Sequence, residues 1–111
     1  PQDVVVVSRE WLRANRDVAR RVLAAILEGG HAFHEDRELG ERTLQRWLQL
    51  DDPALVAETY AYFQRYIPAP PLPRTEGLQL VIDEVAAVKP EARNVRPQEL
   101  VDPSLVAELP R

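Results

Sequence analysis

Between Asn15 and His34, apolar or small side chains recur at Val18, Val22, Ala25, Ile26, Gly29, Gly30 and Phe33 in steps of three and four. That spacing gathers them on one face of an α-helix. The same rhythm predicts three more helices. Leu39, Thr43, Leu44, Trp47 and Leu48 mark the buried side of one opened by Asp36. Leu55, Val56, Thr59, Tyr60, Phe63 and Ile67 mark that of one opened by Asp52-Pro53 and stopped at Pro68. Leu78, Val81, Ile82, Val85 and Val88 mark that of one opened by Thr75 and ended by Pro90. Aspartate before a first turn accepts an orphaned amide hydrogen, and proline at the first helical position lacks only a donor that has no partner there. By the same logic Ser8 caps a short helix over 9–14, and Asn15 opens the long one.

One stretch breaks the helical rhythm. Val4 to Val7 are four consecutive β-branched residues, which read as a short strand buried on both faces. A strand needs a neighbour for its backbone N–H and C=O groups, and no other segment of the chain clusters β-branched residues for four positions. The expected fold is therefore mainly α, with five or six helices and one short N-terminal strand completed from elsewhere. Within the long helix, Ala24, Ala25 and Gly29 are small enough for another helix to approach closely, and Asp17 with Arg20 and Arg21 forms exposed local pairs.

PAPPLP, residues 68–73, predicts an extended polyproline connector over 68–74, which can dock in an aromatic-lined groove that reads PxxP motifs but more often braces one helix against the next. Beyond Pro90, Arg96-Pro97 and Asp102-Pro103 start two short turns. Val95, Leu100, Val101, Leu105, Val106 and Leu109 lay this tail on a neighbouring surface. Residues 1–111 thus read as a single helical segment without a repeat period.

Composition narrows the function. Of the 111 residues, 14 are basic and 18 acidic, for a net charge of −4, and no basic stripe gathers; binding to nucleic acid by phosphate neutralisation is not expected. Without cysteine there are no disulfides and no thiolate chemistry. No apolar run approaches the roughly 20 residues that span a bilayer, and the amino end lacks the pattern of a signal peptide. The absence of methionine and the start at Pro1 lead us to expect a portion of a longer polypeptide.

Candidate chemistry is sparse. His31 and His34, three apart beside Glu35, have a spacing that can share a metal, yet no matched third ligand follows, and histidines at a helix end also suit the dipole; no metal and no cofactor are expected. Asp51 with Asp52 and Asp83 with Glu84 are neighbours that a helix points apart, so they do not converge as acid and base. Ser8 and Ser104 open helices with no histidine nearby in sequence. Tyr60, Tyr62, Phe63 and Tyr66 are the one aromatic group. Tyr60 and Phe63 fall on the apolar face, whereas Tyr62 and Tyr66 share a flank suited to covering the proline strip or lining a ligand cleft. No catalytic constellation emerges, and an enzyme is not expected.

The ordered series VVVVSREWL, NRD before the long helix, HAFHED, the DDPALV helix start, IPAPPLP and the closing DPSLVAEL resembles the carboxy-terminal portion of the periplasmic-type substrate-binding proteins of ABC importers, in the nitrate, sulfonate, taurine and thiamine-precursor group. The resemblance covers nearly the whole chain. It implies a periplasmic or extracytoplasmic fragment of a two-lobed α/β fold, in which Val4 to Val7 enter a mixed sheet built from the missing N-terminal part of the same protein. A small-molecule ligand would sit in the interlobe cleft, and the closed form would meet an ABC permease. Arg16 and Arg37 stand where many relatives place proline, so these two helix starts are expected to fray more. Ligand contacts in such proteins come largely from the amino-terminal part, so the resemblance assigns none here; Tyr62, Tyr66 and Arg9 are the ligand-binding candidates. The alternative is a free-standing all-helical interaction module, a homodimer through its N-terminal strand.

Overall fold

A computed structural model describes residues 4–67 and 75–109; the predicted connector 68–74 lies outside them. The described residues are mainly helical. They form α1 (Arg9–Ala14), α2 (Arg16–Glu35), α3 (Arg37–Leu48), α4 (Pro53–Tyr66), α5 (Thr75–Val88), two 3₁₀ turns (Pro90–Asn94 and Pro97–Glu99) and α6 (Ser104–Ala107).

Local chemistry sets most of these boundaries. Ser8 Oγ accepts the Trp11 N–H at 3.1 Å, Asp36 Oδ1 that of Leu39 at 2.9 Å, and Asp52 Oδ1 that of Ala54 at 2.9 Å. Asn15 is a correction. Its side-chain amide turns back and donates to the Trp11 carbonyl at 3.0 Å, so it closes α1 rather than serving only the helix ahead. α2 and α3 nevertheless begin at Arg16 and Arg37. Both arginines form bonds for which proline has no atoms: Arg16 Nη2 reaches Glu108 at 2.6 Å and Ser104 at 3.2 Å, and Arg37 Nε reaches Glu41 at 2.7 Å. α3 ends on Gln49 in the left-handed conformation, φ 53° and ψ 44°. Glycine is the usual residue there because it has no Cβ to crowd the following carbonyl.

The N-terminal strand is absent. Val4, Val5, Val6 and Val7 have no regular secondary structure and are 48, 56, 81 and 42% exposed, not buried on two faces. A strand is held by ladder bonds to a second one, and among the described residues none offers them.

The chain divides into two compact units. In the unit formed by residues 21–71, α3 packs on α4. Val56 and Tyr60 of α4 and Gly40 and Leu44 of α3 are buried. The buried side of α3 is thus rotated from the expected one, since Leu39, Trp47 and Leu48 are exposed. The cause is Tyr60. Its ring lies 4.9 Å from that of Phe33, and its hydroxyl donates to the Phe33 carbonyl at 2.9 Å. The ring edge occupies the space that a side chain at position 40 would fill.

In the other unit, residues up to 20 join those from 72 on. α5 packs against both 3₁₀ turns and buries Ile82 and Ala86; Pro97, Leu105 and Leu109 are also buried. Arg9 Nη2 donates to the Glu99 carbonyl at 2.9 Å, tying α1 to the second turn. Val81, Val85 and Val88, expected on the inner side of α5, are exposed, because the turns cover only the adjoining stripe.

Gly40→Ala tests the α3–α4 contact. A Cβ there comes within 2.9 Å of Tyr60 Cδ2 and 3.3 Å of Phe33 Cδ2, and the tyrosine, held by its hydroxyl, has little room to give. We expect a loss of about 1–3 kcal/mol in urea unfolding followed by circular dichroism. Unchanged stability would show that the ring moves freely.

Candidate functional site

Each candidate side chain has a definite place. Tyr62 and Tyr66 lie one turn apart on α4, with ring centroids 4.6 Å apart and planes tilted by 41°. Tyr62 also meets Phe63 edge-on at 5.6 Å. Both tyrosines are largely exposed, at 59 and 61%. They form an aromatic ledge of the kind that accepts an apolar or planar group but does not enclose it. The proline strip proposed to lie under them is outside the described residues. Arg9 belongs to the other unit, where its guanidinium is engaged with the Glu99 carbonyl.

The histidines do not assemble a metal centre. His34 Nε2 lies 3.2 Å from the Ile67 carbonyl, a contact that needs the proton on Nε2. It thereby holds the end of α4 to the end of α2. Among the described residues no group of three or more His, Cys, Asp or Glu side chains is close enough to hold a metal ion. The acidic neighbours are separated by their roles: Asp52 caps α4, and Asp83 accepts from Gln79 Nε2 at 2.8 Å.

A feature that sequence reasoning missed is a shallow, open groove beside the start of α5, lined by Thr75, Glu76, Gln79, Arg96, Pro97 and Gln98. Arg96 is already paired there. Its Nη2 donates to Glu99 Oε1 at 2.9 Å while its backbone N–H donates to Glu99 Oε2 at 3.0 Å. The nearby carboxylates are adjusted by such bonds. The Arg96 backbone N–H, then its guanidinium, holds the Glu99 carboxyl below its ordinary range. The Ser104 hydroxyl at 2.6 Å, followed by the Ser104 backbone N–H at 3.0 Å, does the same to Asp102. These bonds close turns; a signal for them was present in the Arg96-Pro97-Gln98-Glu99 and Asp102-Pro103-Ser104 order. Among the described residues no buried side-chain N or O lacks a partner, so none is left aimed at an absent ligand.

What the surface offers instead is apolar area. Val56, Tyr60, Leu44, Ile82, Ala86, Leu105 and Leu109 are buried, while Val18, Val22 and Ile26 of α2 and Leu80, Val81, Val85 and Val88 of α5 are exposed along with the four valines of 4–7. No described helix is long and apolar enough to cross a membrane. Comparison with protein families, curated proteins and solved structures finds no match to the chain.

The two adjusted carboxylates predict a pH dependence. Each has a folded pKa below its unfolded one, so each contributes stability above the ordinary carboxylate range and loses it as pH falls through the lower folded value. In an NMR titration the Arg96 and Ser104 amide signals should move together with their carboxylates, with midpoints below those of free Glu and Asp. Midpoints at the ordinary values would mean that the bonds do not persist in solution.

Proposed function

We propose that this chain is the C-terminal part of a solute-binding receptor that serves an ABC importer outside the cytoplasm, and that it acts by completing a two-lobed α/β protein rather than by chemistry of its own. The observation that carries the reading is the exposed run Val4 to Val7: four β-branched residues whose backbone groups meet no second strand among the described residues, ahead of helices that leave much of their apolar surface open. Such a run is stable when inserted into a sheet. Supporting it are the ordered motifs from SREWL to DPSLVAEL and the thinness of the buried set. In the complete receptor, ligand would close the lobes, and the closed form would engage the permease.

Two measurements test this. An antiserum against the chain should detect, in extracts of the source cells, a product much larger than 111 residues; a native product of this size alone would overturn the reading. Calorimetric titration of the 111-residue chain with sulfonates, nitrate and pyrimidines should give no stoichiometric heat, whereas the larger product should bind one of these classes. Tight binding by the short chain would place the cleft within it and contradict the proposal.

A further inference from the structure

Among the described residues nothing explains Gly29 of α2. Its backbone is not in the positive-φ region where glycine is needed, and a Cβ built on it meets nothing within 4 Å. Glycine in a helix interior nonetheless costs roughly 0.5–1 kcal/mol relative to alanine. Gly30 is equally open, but Gly29 lies on an exposed apolar stripe, where the missing side chain leaves room for a close approach. Val18 and Val22 on the same stripe are 38 and 44% exposed, and the steps Val18, Val22, Ala25, Gly29 of four, three and four are those of a helix-pairing seam.

We propose that the occupant is a second copy of this chain, with the two α2 helices antiparallel across a twofold axis. The seam is self-complementary in that direction. One register sets Val22 against the partner's Ala25 and, at the same time, Val18 against the partner's Gly29, so each larger side chain meets a small one. The same register brings Arg21 beside the partner's Glu28, and by symmetry each contact occurs twice. A parallel pair has neither property: it stacks Gly29 on Gly29, leaving a gap, and carries Arg21 toward an apolar flank. Arg21 also interacts within its own chain, and the pairing needs only its charge at the edge of the seam. The pairing stands apart from the receptor reading.

Sedimentation equilibrium of the full 111-residue chain, up to roughly 1 mM for a contact of this modest size, tests it. The expected result is a concentration-dependent rise toward twice the chain mass. Gly29→Gln should hold the chain at single mass while its thermal midpoint stays equal or rises, because the site is open and glutamine is the better helix former. Arg21→Glu should weaken association by about tenfold or more, and R21E/E28R should bring it back, since reversing both charges rebuilds the antiparallel pair. Single mass at every wild-type concentration, growth beyond a dimer, association indifferent to Gly29→Gln, or a double variant no better than R21E would each overturn the proposal. None of these outcomes alters the size of the native product or its ligand heat, so failure here is distinguishable from failure of the receptor reading.

Discussion

Tyr60 enters the space between α3 and α4 because position 40 carries no side chain. That one fit has several consequences in its unit. It buries the largest side chain among the core residues, gives the hydroxyl a partner in the Phe33 carbonyl, and fixes which face of α3 turns inward. A buried hydroxyl without a partner is costly, so the ring and the end of α2 are held together by a bond as well as by contact. His34, bonded to the Ile67 carbonyl, reinforces the same junction between helix ends. The cation of Arg37, 5.6 Å from the Tyr60 ring centroid, covers its outer side.

Away from that junction the chain has more apolar helix surface than it covers. α5 carries two apolar stripes and α2 one. On α5 the stripe with Ile82 and Ala86 is buried, and the one with Val81, Val85 and Val88 is open. α2 has no fully buried residue at all. A monomer rarely leaves such contiguous patches to water without using them. The excess is the physical basis for both functional readings: polypeptide that completes a sheet around the valines, and a second copy that meets α2. Neither calls on catalysis. The tyrosine ledge is exposed, and Arg9 and Arg96 are bonded within the chain.

The local chemistry of the termini of these elements was legible from residue order alone. Ser8, Asp36 and Asp52 cap as their positions require, and α1, α3 and α4 start where those caps direct, because a cap acts over three residues and needs nothing from the rest of the fold. On α4, Val56 and Tyr60 of the expected inner face are buried, whereas Leu55, expected beside them, is exposed.

Tertiary structure decided which of several adequate faces was used. Periodicity places Leu39, Leu44, Trp47 and Leu48 on one side of α3, yet of these only Leu44 is buried, with Gly40 beside it, because the inward side was set by a tyrosine of the next helix. It places Val81, Val85 and Val88 inside α5, yet the 3₁₀ turns cover the neighbouring stripe. It makes Val4 to Val7 a strand, yet extended backbone persists only where a second strand takes its hydrogen bonds. Helix identity and helix ends follow from interactions within a few residues and belong to the sequence. Burial is a property of pairs of surfaces, and it was settled only by which elements pack together in the folded chain.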